Sequence, residues 1–208
     1  MKNLETEFKW ECSAPSDFVK AVRVMRTLGK LSAPANLTIC DTYLDHADEQ
    51  FSKQKIAFRV RCVNHRWEAT FKTRTEVKNG KAVRREETLP LSGVKNLPQA
   101  LLFLMRKKTW KNLNVCDLQK QFVLKNKRRI LNVRYKKCQA ELALDKFSIL
   151  VCGHEVKMRE IELELKRGSQ KDFEALALLF TARSGLTFVK NSKVKTAYAL
   201  RRMWSENA

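Results

Sequence analysis

The 208-residue sequence predicts an α+β fold built on a mostly antiparallel sheet. Two observations carry this: apolar and polar residues alternate with period two in segment after segment, and only four stretches show helical spacing. Leu4-Glu5-Thr6-Glu7-Phe8-Lys9-Trp10 alternates from the start, which puts Glu5, Glu7 and Lys9 on one face of a strand and Phe8 and Trp10 on the other. Ser16 is placed to cap a first helix, in which Phe18, Val22, Met25 and Leu28 form one stripe. Strands follow near 36–44, over Ile56 to Cys62, over Trp67 to Lys72 and near 83–91. Leu97 to Lys107 has helical spacing. Four more strands are expected near 118–126, 128–136, 139–147 and 157–166. Ser169 with Asp172 makes a capping box ahead of Phe173, Leu176, Ala177, Leu179 and Phe180, and Lys193 to Met203 makes a short last helix. The total is eight or nine strands.

Six glycines and four prolines punctuate the chain without clustering into a linker, so residues 1–208 read as a single domain. A hydrophobic content of 44% is enough for a core, and it separates the chain from disordered polycations despite a net charge of +20. No apolar run approaches the ~18 to 20 residues of a membrane span. The N-terminus opens with Lys2, Glu5, Glu7 and Lys9 where a secretory signal would be apolar, so no membrane association is expected. The six cysteines contain no C-x-x-C pair, which suits free thiols and a cytoplasmic setting. His46, His65 and His154 stand alone without a second ligand at metal-binding spacing. Trp10 and Trp67 read as packing under helices, and Asp117 and Asp172 as loop and cap residues.

A balance of 42 Lys and Arg against 22 Asp and Glu implies a polyanionic partner. The imbalance is sharpest from Thr88 to Ala140, where Asp117 is the only acid among thirteen basic residues, including Arg106-Lys107-Lys108 and Lys127-Arg128-Arg129. That stretch reads either as a solvated face or as a surface for polyphosphate or an RNA 5′ end.

The polar faces of the strands are unusual. Glu5-x-Glu7-x-Lys9 is matched by Glu160-x-Glu162-x-Glu164-x-Lys166, while Arg59 with Arg61, Lys72, and Glu141 with Asp145 occupy other strands. Carboxylates two residues apart on a strand lie ~7 Å apart on one side. At an effective dielectric near 20 they repel by about 2 kcal/mol, so in an enclosed space they require a cation. A closed barrel with a charged interior and a partly helix-covered exterior accommodates all five strands.

In order along the chain, these segments resemble the CYTH superfamily of triphosphate tunnel metalloenzymes. The resemblance rests on Glu5-x-Glu7-x-Lys9, Asp41-Thr42-Tyr43-Leu44-Asp45, Phe58-Arg59-Val60-Arg61, Ala69-Thr70-Phe71-Lys72, Arg84-Arg85-Glu86-Glu87, Lys127-Arg128, Glu141 to Asp145, Glu160 to Lys166, and Ser192-Lys193. It implies a closed eight-stranded antiparallel barrel with flanking helices, a tunnel that takes a linear triphosphate. Lys9, Arg59, Arg61, Lys72, Arg128 and Lys193 would bind phosphate oxygens, with Arg129 the alternative to Arg128 if the register differs by one. Glu5, Glu7, Glu162 and Glu164 would hold Mg²⁺ or Mn²⁺, assisted by Glu86, Glu141 and Asp145. Glu5, Glu7, Lys9, Glu162 and Glu164 form the implied catalytic set. The activity implied first is hydrolysis of inorganic tripolyphosphate to pyrophosphate and phosphate. Adenylyl cyclase, thiamine triphosphatase and RNA 5′-triphosphatase chemistry use the same tunnel, and a non-catalytic binder of polyphosphate or nucleic acid is the reading of another class.

Overall fold

A computed structural model describes residues 2–107 and 115–205, so Lys108 of the basic run lies outside the described residues. The strands are β1 (Lys2–Glu11), β2 (Lys30–Leu31), β3 (Ala35–Asp45), β4 (Ala57–Val63), β5 (Arg66–Lys72), β6 (Glu76–Lys78), β7 (Lys81–Pro90), β8 (Gln119–Tyr135), β9 (Cys138–Val151) and β10 (His154–Gly168). The helices are α1 (Pro15–Leu28), α2 (Gln50–Lys53), α3 (Leu97–Lys107), α4 (Gln170–Ser184) and α5 (Lys193–Ser205).

Eight strands form a ring in the order β1-β10-β9-β8-β3-β4-β5-β7, and β7 pairs back onto β1. All the pairings are antiparallel, and β2 and β6 are short additions on β8 and β7. Three of the hairpins are closed by two-residue turns, Asn64-His65, Asn79-Gly80 and Cys152-Gly153, with both residues at positive φ. That backbone matches the right-handed twist of the flanking strands and leaves adjacent segments no geometry but antiparallel.

Three sequence expectations shift. The two strands expected near 118–126 and 128–136 are one strand, β8, whose pairing with β9 runs unbroken through Lys127 opposite Lys146. No glycine or proline interrupts residues 119–135, so nothing stops the ladder. The N-cap of α1 is Ala14 and not Ser16, because Pro15, which has no N–H to satisfy, takes the first helical position. The Asp17 carboxylate accepts from the Ser13 and Ala14 N–H groups there. On α4, Ser169 Oγ accepts from the Asp172 N–H, as the capping box requires. Leu179, however, is 38% exposed and falls off the stripe formed by Phe173, Leu176, Ala177 and Phe180.

The apolar residues are largely on the outside of the barrel. α1 and α4 cover Phe8, Trp10, Leu131, Leu142, Leu144, Ile161 and Leu163, with Phe173, Leu176 and Phe180 packed onto them. Trp10 is fully buried, with its ring edge-on to Phe180 at 4.7 Å, and its Nε1–H donates to Thr181 Oγ1. α3 covers Phe58, Val60 and Ala69, with Trp67 alongside. α5 packs Ala197 and Tyr198 against Phe122, Leu124, Phe147 and Ile149 at one end of the barrel. The Tyr198 hydroxyl donates to Asp45, whose carboxylate also accepts the Phe51 and Ser52 N–H groups of α2. No helix among the described residues is long and apolar enough to cross a membrane. His46 and His154 lie against the rings of Phe51 and Trp204, and His65 occupies a hairpin turn.

Because the external clusters carry the stability, Trp10→Ala should cost about 3–5 kcal/mol. Urea unfolding should register this as a lower midpoint with an unchanged slope, and a cost below 1 kcal/mol would contradict the assignment of Trp10 to the core.

Candidate functional site

Period two turns alternate residues of the ring toward the interior, where many of them line a cavity of about 950 Å³. β1 supplies Glu5, Glu7 and Lys9; β3 supplies Asp41 and Tyr43; β4 supplies Arg59 and Arg61; β5 supplies Lys72. β7 contributes Arg84 and Glu86, β8 Asn126 and Arg128, β9 Glu141 and Phe147, and β10 Glu162, Glu164 and Lys166. Lys193 enters from the start of α5.

The inward charges form four groups. On one wall, Arg61 grips Asp41 with two parallel bonds, Nε to Oδ1 at 2.6 Å and a terminal nitrogen to Oδ2 at 2.8 Å, while an Arg59 terminal nitrogen lies 3.6 Å from the same carboxylate. Where the ring closes, Arg84 bonds Glu5 and Glu86 and lies 3.1 Å from Glu7, and Lys72 pairs with Glu86. At the α5 end, Arg128 makes a fork to Asp145 at 2.7 and 2.6 Å and also bonds Glu162. Lys193 Nζ joins Asp145, Glu160 and Glu162 at 2.6 to 2.7 Å, and Lys9 reaches Glu162 at 2.9 Å. Lys166 pairs with Glu164 at 2.7 Å and lies 3.7 Å from Glu141.

A sequence model described as the CYTH domain matches residues 3–198. The chain belongs to the CYTH domain family. It is 29% identical over 165 residues to an inorganic triphosphatase of Haemophilus influenzae, a match covering 79% of this chain but only 46% of that protein, so the chain spans about half the length of this curated relative. Among solved structures, a Hippeastrum protein described as a putative adenylyl cyclase with a dominant triphosphatase activity superposes with a TM-score of 0.63, at 16% identity over 96% of this chain and 95% of that one. A putative adenylate cyclase of Bacillus halodurans gives 0.61, at 17% identity over 92% and 95%. At such identities these structures speak for the fold alone.

All thirteen residues that the CYTH resemblance selects lie on the ring or at the start of α5, and all but Asp145 line the cavity itself. Asp145 is fully buried behind Arg128 and Lys193. The register puts Arg128 inside, opposite Asp145, and Arg129 outside, opposite Leu144. Several inward charged residues had not been selected, among them Arg84, Asp41, Glu160 and Lys166. Arg84 lies two residues before Glu86 on one strand face, a spacing that could have exposed it. Asp41 anchors both β4 arginines, Glu160 completes the β10 row, and Lys166 ends it. Asp45 sits behind the wall as the bracket for α2 and α5.

Burial pushes the carboxylates up, and for some of them neighbouring cations outweigh it. Lys72 and Arg84 hold Glu5 well below the usual range, and Arg128, Lys193 and Lys9 do the same for Glu162. Asp41, flanked by Arg59 and Arg61, is held down at about 2. For Glu160 burial prevails and pushes it up to about 7. Burial, with Arg59 and Arg84 close by, pushes the Lys72 ammonium down to about 7 against the pull of Glu5 and Glu86.

The donor set fits a hard divalent cation. Carboxylate oxygens of Asp145, Glu160 and Glu162 lie within 4.8 Å of one another, all three residues buried. Glu7 Oε1 and Glu160 Oε1 sit at ion-pair distance from cations yet accept no aligned hydrogen bond, so two buried oxygens retain unused coordinating capacity.

Asp41 has a pH signature. Its carboxyl falls from 3.8 to about 2 on folding, so its contribution is fully present above pH 3.8 and is lost as the pH falls toward 2. The shift corresponds to roughly 2 kcal/mol. The stability gap between wild type and Asp41→Asn should therefore narrow from pH 5 to pH 2 in urea titrations, and a gap that widened toward acid would reverse the assignment.

Proposed function

We propose that the tunnel hydrolyses a linear triphosphate with the help of Mg²⁺ or Mn²⁺, and that inorganic tripolyphosphate, cleaved to pyrophosphate and phosphate, is the substrate it suits best. The observation that carries this reading is the presence of two buried charge sets of opposite sign in one cavity, each neutralising the other. A binder of anions alone would gain nothing from Glu5, Glu7, Glu162 and Glu164, which repel phosphate. The inorganic triphosphatase relative of Haemophilus influenzae supports the choice of substrate, though only over part of its length.

Arg59, Arg61, Lys72, Arg128, Lys193 and Lys9 hold phosphate oxygens in this reading. The arginines of β4 and β8 already present planar forks, the geometry that pairs two nitrogens with two phosphate oxygens. Lysine point charges fill between them and tolerate a chain that slides. When bound, a divalent ion supplies charge neutralisation at the phosphoryl group and a more acidic water. Glu5, Glu7, Glu162 and Glu164 are the residues to hold it, with Glu86, Glu141 and Asp145 steadying it or its waters.

The substrate exchanges partners with the wall. As phosphate oxygens take over the cations now tied to Glu5, Glu86, Asp145 and Glu162, those carboxylates are freed for a metal ion, so anion and cation each favour the other's binding. A water oxygen then attacks a terminal phosphorus, one P–O–P bond breaks, and the proton of the attacking water leaves to a basic group or solvent. No covalent intermediate on the protein is required. Six thiols, none in a disulfide, agree with a cytoplasmic setting.

Phosphate release from tripolyphosphate should vanish with a chelator and fall by about 100-fold or more in Glu5→Gln and Glu162→Gln, with the fold retained by circular dichroism. Undiminished turnover in either variant would sink the metal assignment. Arg59→Ala should weaken triphosphate binding in calorimetry by about tenfold or more, the scale of one lost charged contact. Thiamine triphosphate, ATP and 5′-triphosphorylated RNA, assayed beside tripolyphosphate with each metal, complete the panel, and cyclic product from ATP would replace hydrolysis with cyclisation.

A further inference from the structure

The tunnel leaves much of the positive charge unexplained, and the strand registers show where part of it lies. The outward residues of β3, β8, β9 and β10 fall on successive rungs. One rung reads Asn36, Arg129, Leu144, Ile161; the next Thr38, Lys127, Lys146, Arg159; the next Cys40, Lys125, Ser148, Lys157. Leu144 and Ile161 pass under the helices of the outer core. On the far side Glu155 marks the limit, on a rung with Thr42, Val123 and Leu150. Between these borders stand six cations and no acid.

Lys127, Lys146 and Arg159 are directly opposite one another on three adjacent strands. Like charges so placed destabilise a sheet, and an ordinary solvated face interleaves acids with bases. No such relief occurs here. None of the six pairs with a carboxylate among the described residues, and the half-buried Arg159 has an Nε without any hydrogen-bond partner. The five others are exposed. At ordinary strand spacings the patch measures about 10 Å across the strands and about 13 Å along them.

We propose that this outer face of β8, β9 and β10 is a docking surface for linear inorganic polyphosphate, separate from the tunnel and independent of what the tunnel does. The remaining side chains on the rungs decide among polyanions. Asn36, Thr38, Cys40 and Ser148 are small, and no aromatic ring stands among them to stack a base, the feature single-stranded nucleic-acid surfaces rely on. The outside of a barrel is convex, with no helix or ribbon raised to enter a duplex groove. What the face offers is dense point charge that needs no particular orientation from its ligand, which suits a chain carrying a charge on every phosphorus and nothing else.

The test is calorimetry of long-chain polyphosphate at several salt concentrations, with a chelator present, on wild type, on the triple variant Lys127→Gln/Lys146→Gln/Lys157→Gln, and on Arg59→Ala. The triple variant should bind at least about tenfold more weakly, with a salt slope reduced by about three, while its Michaelis constant for tripolyphosphate stays as in wild type. Arg59→Ala, altered in the tunnel, should bind the long chain within about twofold of wild type. Should the triple variant fail to fold, Lys146→Gln alone should show about a threefold loss. Polyphosphate binding unchanged in the lysine variants, or abolished by Arg59→Ala, would overturn the proposal. Tighter binding of an oligothymidylate through the same lysines would make the face a nucleic-acid surface instead.

Discussion

The pairing of β1 with β7 is the constraint on which the rest of the molecule depends. β1 is bonded on both sides, with Lys9 opposite Glu162 on β10 and Glu5 opposite Arg84 on β7. Without that second seam the sheet would be open, and the polar faces of its strands would be a charged surface in water. With it, alternation along each strand becomes a distinction between inside and outside, and charges of both signs are enclosed together. The seam also removes two edges that would otherwise invite pairing with other chains.

Closure inverts the usual distribution of a globular fold. Buried ion pairs are poor sources of net stability, since removing two charges from water costs about as much as their attraction returns. Much of the stability of this barrel must therefore come from the outside, where Trp10, Ile161 and Leu163 on the strands meet Phe173, Leu176 and Phe180 on α4, with the apolar cluster of Phe122, Phe147 and Ile149 under α5 at one end. The interior is left free to hold charges in arrangements chosen for chemistry. Lys72 near neutrality and Glu160 pushed up to about 7 show how little that interior is relaxed. Both shifts have burial as their leading cause, and both would be relieved by ligands of opposite charge.

Much of this was legible in the sequence because a strand displays its two faces openly. Glu5, Glu7, Lys9, Arg59, Arg61, Glu162 and Glu164 stand in rows at period two, and each row survives intact on the cavity wall. Arg84 was equally visible in principle, two residues from Glu86, yet the adjacent Arg85 and Glu87 give the other face the same composition. The choice between Arg128 and Arg129 was not decidable from residues 127–129, which are cationic throughout; only the pairing of β8 with β9 settles which one meets Asp145. The burial of Glu160 and the reach of Lys193 to it depend on where a helix more than thirty residues away along the chain comes to rest. The division of β8 into two strands failed for a related reason: a run of alternating residues says where a strand is, but not that its neighbours are long enough to carry it through.

One consequence follows for how such a wall can change. Along β8 each step of one residue crosses from the inner to the outer side, Lys127 and Arg129 outside and Arg128 between them inside. Substitutions therefore act on one compartment at a time, whereas a single inserted residue would exchange the two, turning the outer lysines inward and expelling Arg128. The fold tolerates an odd residue where it is absorbed locally, as at the irregularity between Tyr43 and Leu44. Such a wall is permissive toward spelling changes and intolerant of changes in count.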